Sequence, residues 1–304
     1  MNDTTIIIKT FLRVKCLERQ LHSIEKWYPQ IPIIICDDGE EAKKNQEYII
    51  KKFKKLNIKY IITNNNIGLS EGRNILIDNV KTKYFVLCDD DFIFFKNTNL
   101  EIARYQLEYN NYDILGGLCL NAIRINYGTK KEKIQLLIRK IQELFKCYRK
   151  VGYAGKIELH EKRIIIDTKK LNYMSSQIYD TDICENFFIA KTEVIKKIRW
   201  TSKLKVNEHE DFFIRAKKEK VKIGVTALFK ILHYPESYND FNLHRDINYY
   251  KVVLENNNIK ELKIFRNNVG IIQTYLLVND KAIEKREYTQ NLLGLLKKFY
   301  YNIK

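Results

Sequence analysis

The residues with the clearest chemical potential are three consecutive carboxylates, Asp89, Asp90 and Asp91, at the end of the apolar run Tyr84 to Cys88. A short apolar run of this kind reads as a buried strand. Adjacent carboxylates at its end repel one another unless a cation or hydrogen-bond donors sit among them. Hard divalent cations with oxygen ligands suit such a cluster, and Mg²⁺ or Mn²⁺ can bridge from it to phosphates. The competing reading is a solvated acidic loop. A second acidic group, Glu208, Glu210 and Asp211, precedes Phe212 and Phe213. Acids in a first helical turn are explained by the helix dipole alone. A carboxylate held at the edge of an aromatic patch is also a candidate general base. His233 closes an apolar run and reads either as a structural histidine or as a further metal ligand.

The elements that position these groups follow from periodicity. Thr5–Thr10, Ile31–Cys36, Ile58–Thr63 and the run ending at Asp89 read as strands. Cys16–Tyr28, Glu40–Leu56 and Glu71–Val80 read as the helices between them, with Tyr48 and Phe53 turned inward and Ser70 as an N-cap. Such alternation predicts βαβ units, an α/β fold with a mostly parallel sheet, and ligands beyond the carboxyl ends of its strands. Thr10, Asp37, Asp38, the loop Asn64–Ser70 and Asp89–Asp91 all fall at those ends. Asp37 or Asp38 suits a base or ribose, or simply a turn before Gly39. Arg73 suits a diphosphate beside a helix N-terminus, or a surface position on a capped helix. Further on, Thr98–Tyr109 reads as a helix and Asp113–Cys119 as a strand. Lys131–Lys146 is amphipathic, and Tyr148–Ile183 reads as irregular. Cys184–Ala190, Lys222–Thr226 and Leu228–His233 read as three strands, and Tyr288–Lys304 as an amphipathic helix.

The 304 residues carry a net charge of +17 with only three prolines. One large α/β domain with an appendage fits this better than a string of small domains. The charge points to polyanionic partners: phosphorylated substrates, an anionic membrane surface or nucleic acid. A nucleic-acid module explains the charge but not the Asp cluster, so nucleic acid is not expected. The six cysteines are widely spaced and show no zinc-like pairing, which fits a reduced, cytoplasmic chain. No apolar run reaches the ~18–20 residues of a membrane span, so any membrane contact would be peripheral, on the inner face. A sugar nucleotidyltransferase would need a Gly-rich loop after the first strand, where Thr10, Phe11, Leu12 and Arg13 stand.

Several segments occur together and in order: Thr5–Arg13, Cys36–Gly39, Asn66–Gly68 with Gly72–Asn74, Asp89–Phe92, Asn186–Ala190 and His209–Phe213. Together they resemble the inverting, family 2-like glycosyltransferases of the GT-A fold. Within these they are most similar to the ganglioside-type β-1,4-N-acetylgalactosaminyltransferases and their bacterial relatives. The resemblance implies a GT-A catalytic domain over residues 1–238, with a nucleotide-binding half (1–118) and an acceptor half (119–238). Outside the resemblance, the amphipathic pieces of residues 239–304 read as a helical extension that either packs on the core or associates with a membrane surface. The resemblance also implies a UDP-sugar donor, Mn²⁺ or Mg²⁺, and a glycan or lipid-linked acceptor. It places Thr10 and Asp38 at the nucleotide and Arg73 near the base or diphosphate. Asp91 would hold the metal and Asp89 the ribose or metal, with Asp90 between them. His233 would complete the metal site. Asp211 would be the catalytic base, with Glu210 as its nearest rival.

Overall fold

The computed structural model of the chain describes residues 2–122, 148–151, 153–170, 177–234, 247–266 and 271–288. The first strand, β1 (Thr4–Thr10), is buried along its whole length, as a central strand covered on both faces must be. It pairs in parallel with β2 (Ile33–Asp37) on one side and β4 (Tyr84–Asp89) on the other, and β3 (Ile58–Ile62) extends the sheet beyond β2. The crossovers are α1 (Val14–Trp27), α2 (Ala42–Lys52) and α3 (Leu69–Asn79). Beyond β4 the sheet becomes mixed. There follow β5 (Phe92–Ile93), α4 (Leu100–Tyr109), β6 (Ile114–Ala122) and β7 (Tyr148–Val151). The chain continues through β8 (Tyr153–Leu159), β9 (Arg163–Lys170), β10 (Ile178–Thr181), β11 (Phe188–Lys191) and α5 (Thr192–Ile198). After these come α6 (Glu208–Lys218) and β12 (Ile223–His233). The spatial order is β10-β12-β6-β11-β4-β1-β2-β3, with β5 on β12 and β7 on β6.

Period-two alternation builds the core on both faces of this sheet. Ile7, Leu87 and Phe188 point to the side of α3 and α6, where they meet Leu76, Phe212 and Phe213. Ile6, Ile8 and Val86 point to the other side and meet Leu17 and Leu21 of α1 and Leu107 of α4.

Four readings of the sequence change here. Tyr148–Ile183 is not irregular: it supplies β7 to β10. Nor are the described residues of the C-terminal segment mainly helical. After α7 (Asn248–Asn256) come β13 (Glu261–Arg266), β14 (Ile271–Val278) and β15 (Lys281–Tyr288). Leu262 and Ile264 are buried and alternate with the half-buried Glu261, Lys263 and Phe265, a strand period, and they join the same core as Leu76 and Phe212. β13 pairs in parallel with β9, giving a second sheet in the order β15-β14-β13-β9-β8, which draws strands from both sides of residue 238. The two runs Lys222–Thr226 and Leu228–His233 form one strand, β12, with a register shift between Val225 and Lys230. Phe53 is buried as expected, but Tyr48 is exposed and donates to Glu18. Lys131–Lys146 and Tyr288–Lys304 lie outside the described residues, apart from Tyr288 itself.

Candidate active site

A cavity of about 490 Å³ opens at the carboxyl ends of β1 and β4, the location expected for a ligand in this kind of sheet. The end of β1 contributes Lys9, Thr10, Phe11 and Arg13, and the end of β4 contributes Asp89, Asp90 and Asp91. Leu69 and Arg73 come from α3, and Glu208, His209 and Glu210 come from the first turn of α6. His233 closes β12, while Tyr250 of α7 and Arg266 of β13 come from the C-terminal segment. Leu12 takes a left-handed backbone (φ 56°) between Phe11 and Arg13, and Asn207 does the same (φ 60°) just before α6. Such backbone strain in non-glycine residues concentrates at functional sites.

The three adjacent carboxylates have different environments. Asp90 accepts from Thr10 Oγ1 at 2.8 Å and lies 3.2 Å from Arg13 Nη2. Burial, opposed by Arg13 and reinforced by Asp91, pushes its carboxyl up to about 7. Asp91 is also buried, but His233 and Arg13 outweigh burial and hold it below the usual carboxylate range. Arg13 Nη2 donates to Asp91 Oδ2 at 2.5 Å. Asp89 is the more exposed of the set; it accepts from Arg73 Nη2 at 3.1 Å. Arg73 is not a surface arginine. It is fully buried between Asp89 and Glu208, with Nη1 2.5 Å from Glu208 Oε1.

The residues at the end of β4 fit a divalent cation in one specific respect. Asp91 Oδ1 is buried and has no hydrogen-bond partner. His233 Nε2 lies 3.4 Å away, and its Nδ1 is 2.6 Å from Asn121 Oδ1. That contact with an amide oxygen places the proton on Nδ1 and turns the Nε2 lone pair of the neutral ring toward a carboxylate oxygen. Such a pairing calls for a cation between them, either a proton or a metal. Burial opposes the charged ring, but Asp91, Asp89 and Glu185 outweigh it and raise the affinity of His233 for a proton. Among the described residues no three His, Cys, Asp or Glu side chains converge as an all-protein metal cage. An ion completed by substrate phosphates and water needs only one or two protein carboxylates.

The sequence-level candidates separate at α6. Glu210 lines the cavity, and its Oε1 accepts from Arg266 Nη2 at 2.9 Å. Asp211 does not line it. Its side chain is fully buried and accepts from Thr201 Oγ1 at 2.7 Å, Asn257 Nδ2 at 3.0 Å and Arg215 Nε at 3.0 Å. Successive helical residues turn by about 100°, so when Glu210 faces the cavity its neighbour faces the core. Asp211 thus ties α6 to the preceding loop and to α7.

Asp38 lies beside the cavity rather than in its lining. It borders a smaller recess with Phe11, Asn66, Gly68 and Lys205. It is buried, ion-paired with Lys9, and accepts from the Gly68 N–H at 3.0 Å. Asp37 is a turn residue in the sense weighed above: it accepts from Gly39 N–H, Asn45 and Tyr60. Gly68, not Ser70, is the N-cap of α3; a Cβ at Gly68 would lie 2.6 Å from Lys205 Cα. Sequence reasoning passed over Arg13, His209, Tyr250 and Arg266. Arg13 and His209 sit at the ends of quoted motifs, whereas nothing local marks Tyr250 or Arg266.

Comparison with known proteins places this geometry in a family. The model of "Glycosyl transferase family 2" matches residues 5–168, more than half of the chain. The chain belongs to glycosyl transferase family 2. It is 28% identical to mouse (Mus musculus) β-1,4 N-acetylgalactosaminyltransferase 1 over 217 residues, covering 69% of this chain and 35% of that protein. A 155-residue stretch is 30% identical to the teichoic acid poly(glycerol phosphate) polymerase of Staphylococcus epidermidis, covering 46% of this chain and 21% of that protein. The family 2 chain therefore spans about a third or less of the length of these curated relatives. Among solved structures, S. aureus TarS 1–349 in complex with UDP-GlcNAc superposes over 83% of this chain and 65% of its own. The TM-score is 0.56 at 15% sequence identity, a likeness of fold. The glycosyltransferase fold expected from the sequence, a GT-A-like α/β sheet flanked by helices, is the fold observed.

Proposed function

We propose that this family 2 glycosyltransferase is a metal-dependent, inverting enzyme that moves a sugar from a UDP-sugar to a glycan or lipid-linked acceptor. N-acetylgalactosamine is the first sugar to test, given the named activity of the mammalian relatives. One observation carries the reading. A single cavity has an unsatisfied buried carboxylate oxygen facing a histidine on one side, and a carboxylate on a helix N-terminus on another.

Asp91 and His233 are the residues that would hold Mn²⁺ or Mg²⁺, and a bound ion there supplies neutralising charge to a diphosphate leaving group. Arg13 and Arg73 set the charge and position of the Asp cluster. Thr10 orients Asp90, and the Lys9–Asp38 recess offers a polar pocket for the nucleoside end. Glu210 takes the proton from the acceptor hydroxyl as that oxygen attacks the anomeric carbon. The bond from that carbon to the diphosphate breaks on the opposite face, and its electron pair leaves with UDP. One displacement inverts the configuration. The role of base, read from sequence for Asp211, passes to Glu210, because Asp211 has its carboxylate saturated away from the cavity. The basic character of the chain supports peripheral contact with an anionic membrane, consistent with a lipid-linked acceptor; among the described residues no helix is long and apolar enough to cross one.

The test is calorimetric titration of UDP in Mn²⁺ and then in EDTA, with wild type and Asp91→Asn, followed by UDP release from a panel of UDP-sugars. Metal-dependent binding that the variant loses supports the reading. Absence of UDP binding under both conditions refutes it.

A further inference from the structure

Arg266 lies outside the segment matched by the family model, on a strand of the second sheet, and yet it reaches the cavity. Three observations define what it does there. Its Nη2 donates to only one oxygen of Glu210, Oε1, at 2.9 Å. Glu210 Oε2 accepts no hydrogen bond among the described residues. Arg266 is itself braced: its Nε donates to Gln273 Oε1 on β14. Gln273 Nε2 in turn donates to the Tyr275 hydroxyl and to Glu284 Oε1, each at 3.0 Å. Tyr275 stacks on Tyr250, another cavity residue, with ring centroids 3.5 Å apart. The register Ile264↔Gln273 and Arg266↔Ile271 puts Arg266 and Gln273 on one face as diagonal neighbours.

We infer that Arg266 is a positioning residue for the transfer reaction: the second sheet fixes the Glu210 carboxylate through Oε1 and leaves Oε2 turned to the acceptor. The sheet is thereby part of the active site. A long carboxylate side chain at a helix start has several rotamers, and a single charge-assisted hydrogen bond from a braced guanidinium selects one. Proximity of this kind carries a large share of a catalytic rate, and small misplacement costs ~100-fold. The inference rests on Glu210 being the base.

The experiment measures UDP released from UDP-N-acetylgalactosamine with water as acceptor, alongside donor affinity by titration. The proteins are wild type, Arg266→Ala, Arg266→Lys, Gln273→Leu, Glu210→Gln and the Glu210→Gln/Arg266→Ala pair. Arg266→Ala is expected to lower kcat about 10- to 100-fold with donor affinity unchanged. Arg266→Lys recovers part of that loss, and Arg266→Ala adds nothing to Glu210→Gln. If Arg266→Ala does not fold by circular dichroism, Gln273→Leu serves instead and lowers kcat in the same direction by a smaller factor. Wild-type kcat in folded Arg266→Ala, or its full loss repeated on the Glu210→Gln background, overturns the positioning role while leaving Glu210 as base. Wild-type turnover in Glu210→Gln removes the base assignment and the inference with it.

Discussion

Arg73 is the point where the two acidic clusters meet, and replacing it is the most informative perturbation of stability. Arg73 is 1% exposed and Glu208 4%, so neither charge is screened by water, whereas Asp89 is 37% exposed at its side chain. Burial disfavours the guanidinium charge, but Glu208 and Asp89 outweigh it and hold the proton more firmly than usual. Arg73→Met keeps the length and apolar stem of the side chain and removes the charge. Glu208 is then a buried carboxylate without its counter-ion, while Asp89 can turn to solvent. Breaking a buried pair on one side costs about 3–5 kcal/mol, a large part of the 5–15 kcal/mol that stabilises a typical domain. Arg73 also lies 5.9 Å from the ring of Trp200, which stacks on Phe212 at 4.7 Å. Urea unfolding followed by tryptophan fluorescence therefore reports on the region directly. The double variant Arg73→Met/Glu208→Leu removes both charges and should recover more than half of the loss, since a buried pair is often replaced by apolar residues at little cost. A loss below about 1 kcal/mol in Arg73→Met, or a double variant less stable than either single one, would refute the reasoning.

Glu185 gives a pH-dependent prediction. Burial, with Asp89 reinforcing and His233 and Arg266 opposing it, raises its carboxyl from 4.5 to about 7. A carboxyl raised in the folded state binds its proton more tightly there than in the unfolded chain, so its contribution falls as pH rises from 4.5 to 7 and is constant above. Glu185→Gln should therefore match wild type near pH 4 and exceed it at pH 8, by up to about 3 kcal/mol before discounting for partial exposure; equal stabilities at pH 8 in urea titrations would exclude this. Gly68→Ala places a Cβ 2.6 Å from the Lys205 backbone at φ +92°, which should cost about 2–5 kcal/mol in strain and overpacking, read as a lowered urea midpoint. The thiols of Cys16, Cys36, Cys88, Cys119 and Cys184 are buried and not joined in disulfides, so Ellman's reagent should leave them unmodified until the protein unfolds, as mass mapping of the labelled peptides will show.

Much of the geometry at the carboxyl ends of β1, β2 and β4 is legible locally because a parallel sheet writes itself into sequence. The apolar runs of β1, β2 and β4 are short, buried on both faces, and followed by a polar strand end, so Thr10, Asp38 and Asp89–Asp91 announce both a strand and its carboxyl terminus. The part of the chain after β6 is less legible for two reasons. Its strands are short or pair across long separations, as β9 does with β13, and partial polarity makes them resemble loops. In addition, Asp211 and Glu210 are adjacent in a helix start where either residue suits the dipole.

The sequence by itself determined the α/β class, the carboxylate cluster at the end of β4, and the histidine closing β12. Each depends on local periodicity and on residue type at a strand end. The tertiary structure alone decided which of the adjacent acids Glu210 and Asp211 faces the cavity, because rotation about a helix is set by what packs on its other side. Thr201, Arg215 and Asn257 claim Asp211 for the interior. The structure alone also brought Arg266 to Glu210. A contact between residues 56 apart is made by bringing a strand of the second sheet to a helix start, and no local pattern encodes it.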